Sequence, residues 1–215
     1  QPGQGMLAKL SELNRKYVQN NGFGAGKDAF VFTDRCSKLV LSAPHAVKTQ
    51  LNGQVKAADL FTGALAELVG ENRGISTLIR TAYLEREYLA DEFVKERDLS
   101  GHFFLDLHGM VDHENFELAA GTGLLEADAY AKALKAVEKL GKSYGLRMAL
   151  NHPHYSGIAG MKAFTARMQI QTGKPQVLQL EIGRAYRDFY ERPENVTAKT
   201  LPFLVELAET LENCL

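Results

Sequence analysis

Phe103-Phe104-Leu105-Asp106-Leu107-His108-Gly109 is the stretch on which the reading of this chain turns. It is apolar and aromatic and closes on a glycine, so it reads as a buried strand. Asp106 and His108 stand two residues apart, which puts both side chains on one face of that strand. Two other stretches have the same character. Leu39-Val40-Leu41-Ser42-Ala43-Pro44-His45 ends on a histidine, and Val177-Leu178-Gln179-Leu180-Glu181-Ile182-Gly183 sets a glutamate near the end of an apolar run.

Working outward, residues 6–20 carry Leu7, Leu10, Leu13 and Val18 at helical spacing, and residues 21–27 form a glycine-rich break. Residues 30–33 and 38–42 predict short strands joined by a turn over 34–37. A helix is expected over 54–71, a strand over 75–79 and a charged amphipathic helix over 85–97. Further strands are expected over 116–119 and 148–151. Helices are expected over 126–144, closed by Gly145, and over 196–213, with Pro202 early in it. This alternation predicts a single α/β domain spanning residues 1–215, with a mixed, mainly parallel sheet flanked by helices. Sheets of this kind bind ligands beyond the carboxyl ends of their strands, where His45, His108 and Glu181 fall.

Composition narrows the function classes. With 45% hydrophobic residues, a chain of this length builds a core without disulfides. Its two cysteines, Cys36 and Cys214, are far apart and suit neither a disulfide framework nor a thiolate metal site. Free thiols in a reducing cytoplasm are the expectation. A net charge of −1 gives no basic field for nucleic acid, and no apolar run approaches the roughly 20 residues that cross a membrane. Residues 1–5 lack the features of a signal peptide and read as an expression remnant or a disordered start.

The chemistry that these strand ends suggest is metal-assisted hydrolysis. A hydrolytic zinc centre needs imidazole or carboxylate ligands, an open position for water, and a carboxylate to take the water's proton. His45 and His108 suit the ligand roles. Asp106 either orients an imidazole or serves a site of its own. A carboxylate inside an apolar strand is costly unless paired or used, so Glu181 is either the general base or the partner of an arginine such as Arg184. His152 and His154 flank Pro153 and read as loop histidines, while His102 and His113 are expected to face solvent. Gly22-Phe23-Gly24-Ala25-Gly26-Lys27-Asp28 lacks the spacing and the hydroxyl residue of a phosphate loop and reads as a turn. Gly121-Thr122-Gly123 reads as another.

Taken in order, these pieces resemble the N-formylglutamate amidohydrolase family, which is similar in fold and site to the zinc carboxypeptidases. The resemblance runs from about Lys38 to Phe203. It is carried by Pro44-His45, Asp59 with Thr62, Asp106-Leu107-His108-Gly109, the loop from Asn151 to Gly157, and Gln179-Leu180-Glu181-Ile182 followed by Tyr186. It implies zinc or another divalent metal held by His45, Asp59 and His108, with Glu181 as the catalytic carboxylate. Glu67 and Glu71, farther along the helix, are the alternatives to Asp59. Two departures affect substrate identity: Ala46-Val47-Lys48 replaces a glycine near the first motif, and Ile79-Arg80-Thr81-Ala82-Tyr83 replaces the family's arginine segment. Arg80 and Arg184 are the candidate clamps for a substrate carboxylate, and Tyr155 and Tyr186 the candidate donors to an oxyanion. The expected activity is hydrolysis of the amide bond of an N-acyl, for example N-formyl, amino acid. A carboxypeptidase-like metallopeptidase and a non-catalytic ligand-binding protein on the same fold are the rival readings.

Overall fold

The computed structural model of the chain describes residues 2–51, 53–83, 89–95, 97–171 and 176–214. The first half runs α1 (Pro2–Val18), β1 (Phe30–Thr33), β2 (Leu39–Ala43), β3 (Thr49–Leu51), β4 (Gln54–Lys56), α2 (Thr62–Arg73), β5 (Ser76–Arg80) and α3 (Leu89–Val94). The second runs β6 (Phe103–Met110), β7 (Leu118–Gly121), α4 (Ala131–Ser143), β8 (Met148–Leu150), α5 (Phe164–Gln169), β9 (Gln176–Gly183), α6 (Pro193–Asn195) and α7 (Leu201–Cys214). Seven strands form one sheet in the order β1-β5-β2-β6-β9-β7-β8, and β3 pairs only with β4. The central strands β5, β2, β6 and β9 are mutually parallel, while β1 and β7 join antiparallel to β5 and β9. The fold is thus the expected α/β architecture with a mixed, mostly parallel sheet.

The period-two alternation of the strands separates core from chemistry. On one face, Leu39, Leu41, Leu105, Leu107, Leu178 and Leu180 pack under the long helices, against residues such as Leu10, Leu65, Val137 and Phe203. The opposite face starts apolar, with Val40, Phe104 and Val177 packed on Phe93 of α3 and Phe164 and Met168 of α5. Farther along the same strands it turns polar: Ser42, then Asp106 and His108, then Gln179 and Glu181. All five are buried. The polar stripe lies toward the carboxyl edge of the strands.

Several expectations need correction. Residues 54–56 are a strand of the β3–β4 hairpin, so the helix expected over 54–71 begins only at Thr62. The first helix begins at Pro2, where a proline at the first helical position costs no hydrogen bond, and so includes residues 2–5. The last helix is preceded by a π-helical turn, Val196–Thr200. It sits just before Pro202, whose missing N–H interrupts the regular ladder. Helix α5 was not expected at all. The helix expected over 85–97 is seen as Leu89–Val94, residues 84–88 and 96 lying outside the described residues. Among the described residues no helix is long and apolar enough to cross a membrane. Cys36 and Cys214 are free and exposed.

Candidate active site

The site grows from backbone register. His108 and Glu181 are paired positions of β6 and β9, and Asp106 and Gln179 are the pair before them. On the other flank β2 runs out through Pro44 to His45, and β5 ends at Arg80. The hairpin then returns the chain so that the Asp59 N–H donates to the His45 carbonyl at 2.8 Å, fixing Asp59 beside His45. The Thr62 hydroxyl donates to the Asp59 carbonyl at 2.8 Å. Between them Phe61 holds a left-handed φ of 76°, kept there by ring contacts with Phe189 at 4.8 Å and Tyr190 at 5.5 Å. Non-glycine residues in this region store strain of the order that functional sites retain.

Asp59, His108 and Glu181 each offer a ligand atom, and these atoms lie within 4.8 Å of one another. Asp59 Oδ2 is 3.4 Å from His108 Nδ1. The other ring nitrogen of His108, Nε2, is 2.6 Å from Asp106 Oδ2. Asp106 is fully buried and also accepts from the Ser42 hydroxyl at 2.8 Å and the Thr165 hydroxyl at 3.1 Å. A carboxylate with this set of donors holds the imidazole in one orientation and leaves Nδ1 facing Asp59. The His45 ring stands with its centroid 5.2 Å from that of His108. Its Nδ1 is buried and has no hydrogen-bond partner among the described residues.

Electrostatics point the same way. Burial alone would keep His108 neutral, yet Asp106, Asp59 and Glu181 outweigh it and hold its pKa well above the ordinary value. The cluster therefore favours positive charge at its centre. His45 is pushed the other way, by burial first and then by Lys56 and His108, so its ring stays neutral. Burial raises Asp59, but the His108 hydrogen bond, the two imidazoles and the Gly109 N–H overcome it and keep its pKa low. Glu181 is pushed up to about 7, by burial above all and by Asp59 and Asp106 against the pull of His108. Asp59, His108 and Glu181 offer one nitrogen and two oxygen donors, a set that would suit a divalent cation such as zinc.

The remaining sequence candidates fall in different places. Arg80 lies at the site's edge, but its Nε donates to the Pro44 carbonyl at 3.2 Å. Tyr155 reaches the Glu181 side: Gln179 Nε2 donates both to the Tyr155 carbonyl at 3.3 Å and to Glu181 Oε2 at 3.4 Å. The Tyr155 hydroxyl is 2.7 Å from His113 Nε2. His113 is thus half-buried and bonded, and His102 is half-buried too, where solvent-facing rings were expected. His152 and His154 are loop residues, as expected; the His152 ring stacks on Tyr155 and the His154 ring meets it edge-on. Arg184 is engaged by Asp188 at 3.0 Å, over the Phe61 ring, so Glu181 is not its partner. Tyr186 packs against the main core with Lys199 over its ring, away from the polar stripe. Glu67 and Glu71 face α1, bonded to Lys16 at 2.5 Å and Lys9 at 3.8 Å, which removes them as alternatives to Asp59.

Five residues around the cluster were given no role in the sequence reading. Ser42 and Gln179 share a strand face with the site, and the two-residue period would have revealed them. Thr165 sits on the unexpected helix α5. Arg187 donates from Nε to the Leu60 carbonyl and from Nη1 to the Met110 and Ile182 carbonyls, clamping the strand ends. It lies so close to Gly109 that a Cβ there would meet its guanidinium at 2.4 Å. Lys56, on the hairpin, places Nζ 3.2 Å from His45 Nε2.

No family model matches the sequence, and no curated protein sequence does. Solved structures match it over most of its length. The N-formylglutamate amidohydrolase of Ralstonia eutropha superposes with a TM-score of 0.54 at 16% identity, covering 87% of this chain and 99% of that one. A bacteriophage poly-gamma-glutamate hydrolase gives 0.52 at 14%, covering 88% and 89%. The zinc-free form of YNDL gives 0.51 at 14%, covering 88% and 93%. The chain shares the fold of these proteins.

Proposed function

We propose that the chain is a metal-dependent amidohydrolase that cleaves the amide bond of a small N-acyl amino acid bearing a carboxylate. The observation that supports this reading is the convergence of Asp59, His108 and Glu181, with the His45 ring centred 5.2 Å from that of His108. Two proteins on the same fold are hydrolases by name, and a third is named as a zinc-free form, which supports the choice of reaction and of metal.

In this reading His45, Asp59 and His108 hold a divalent cation, zinc by preference. When bound, such a cation supplies Lewis acidity toward the scissile carbonyl and lowers the pKa of water. The protein's own groups do the rest. With a cation bound, Asp106 would hold the remaining proton of His108 on Nε2 and leave the Nδ1 lone pair to the metal. Glu181 takes a proton from the attacking water and delivers it to the departing amine. Gln179 holds the Glu181 carboxylate and the Tyr155 backbone together, and the Tyr155 hydroxyl donates to the carbonyl oxygen as charge develops there.

The test is elemental analysis of purified protein, followed by assays with zinc on N-formyl, N-acetyl and dipeptide substrates. Bound zinc with turnover of N-acyl amino acids is expected. Preference for dipeptides would move the assignment to a peptidase. Absence of both metal and turnover would leave a ligand-binding protein.

A further inference from the structure

Each arginine near the mouth of the site already has fixed work. Arg80 is buried and holds the Pro44 carbonyl, Arg184 holds Asp188, and Arg187 holds three backbone carbonyls. Lys48, half-buried, lies over the Phe23 ring at 5.8 Å. Lys56 is different. It ends β4, all of whose residues are exposed, and among the described residues it has no carboxylate partner. Its ammonium instead stands 3.2 Å from His45 Nε2, and its charge acts on both His45 and Glu181. The chain runs from Lys56 through Ala57 and Ala58 straight to Asp59, so the lysine enters from the same segment that builds the cluster. The hairpin itself is anchored from outside: the Tyr83 hydroxyl donates to the Gln50 carbonyl, and the Lys48 N–H to the Gly22 carbonyl at 2.8 Å.

We propose that Lys56 is the residue that recognises the carboxylate of the substrate, in place of the arginines that the sequence suggests. This rests on the hydrolase reading for the nature of the ligand, and adds which side chain selects it. An exposed ammonium in no salt bridge among the described residues, 3.2 Å from His45 Nε2, is open to an arriving carboxylate. As a compact charge on a flexible stem, it makes no planar, two-pronged demand on the ligand. Selection is then for the presence of a carboxylate near the scissile amide rather than for one fixed orientation of it.

The experiment uses the full chain loaded with zinc and carrying Glu181→Gln, so that bound ligand persists. Calorimetry compares N-acetylglutamate with the same compound having both carboxylates converted to carboxamides. Adding Lys56→Gln is expected to weaken N-acetylglutamate binding about tenfold or more, the loss of one charge-assisted hydrogen bond. The carboxamide compound should bind unchanged, and Lys56→Arg should stay within a few-fold of the parent. Zinc content should not move. Equal weakening of both compounds, or no weakening of N-acetylglutamate, or no binding of it by the parent, overturns the assignment. Turnover is measured separately in protein with Glu181 intact. If no substrate of the panel is cleaved while carboxylate binding still depends on Lys56, the hydrolase reading fails and the recognition role stands.

Discussion

His108 and Glu181 face each other across β6 and β9 as directly paired residues, within a run of eight consecutive backbone pairs from Phe103 and Gln176 to Met110 and Gly183. Their separation is therefore set by strand pairing and not by a loop. A proton-accepting carboxylate held this way needs no conformational search. Glu181→Gln keeps the shape and removes the basicity. Turnover of the best substrate should fall roughly 10²–10⁴-fold, the usual worth of general-base action, while zinc content is unchanged. Metal analysis and kcat measured on the same preparation check both halves, and unchanged kcat would remove Glu181 from the mechanism.

The acidic ligand is the point on which sequence spacing left three choices. Asp59 Oδ2 lies 3.4 Å from His108 Nδ1, whereas Glu67 accepts the Tyr17 hydroxyl and pairs with Lys16 on the far side of α2. Asp59→Asn should therefore strip the metal at concentrations of chelator that leave the parent loaded. Glu67→Gln should not. Loss of metal from the Glu67 variant with retention in the Asp59 variant would reverse the assignment.

Asp106 touches no candidate substrate position, and its effect should appear in metal binding. It accepts from His108, Ser42 and Thr165 and is the group that fixes which nitrogen of His108 is free. Asp106→Asn is expected to weaken zinc affinity by about 10- to 100-fold, the range for partners of ligating histidines. Competition with a zinc indicator reads this directly. Thr165→Ala, which leaves the His108 contact in place, should have a much smaller effect.

The parts of this site legible in sequence are those that depend on one strand at a time. A two-residue period inside an apolar run marks Asp106 with His108, and marks Glu181, because a buried strand has few reasons to carry such groups. Asp59 was reached only through resemblance, since its approach to His45 depends on the hairpin that turns the chain back. That hairpin had a local sign, the Asn52-Gly53 pair between two short extended runs, which the helix reading over 54–71 overrode. Helix α5 had little sign at all. It is six residues long and is held by burying Phe164 and Met168 against the sheet, so tertiary packing rather than propensity makes it. Lys56 was illegible for a similar reason: an exposed lysine becomes significant only once the fold sets it beside His45.

The Tyr17–Glu67 pair gives a prediction free of the metal. Tyr17 is 3% exposed, and its hydroxyl donates to the Glu67 carboxylate where α1 crosses α2. Burial, then the charge of Glu67, then the hydrogen bond push the phenol well above its ordinary value near 10. In the unfolded chain the proton leaves near pH 10, but the folded protein keeps it. Above that pH the native state binds more protons than the unfolded state, so stability must fall as pH rises, by up to about 1.4 kcal/mol per unit from this group. Below about pH 9 both states are protonated and the group contributes no slope. Tyr17→Phe removes the hydrogen bond and should cost about 1 kcal/mol at pH 8, Glu67 retaining Lys16. The variant has no phenol to ionise and lacks the alkaline loss. The two stability curves should therefore converge above pH 10 and cross within about one further unit. Urea unfolding from pH 8 to 11 measures both, and a difference that stays constant across that range would show that Tyr17 is not held protonated by the fold.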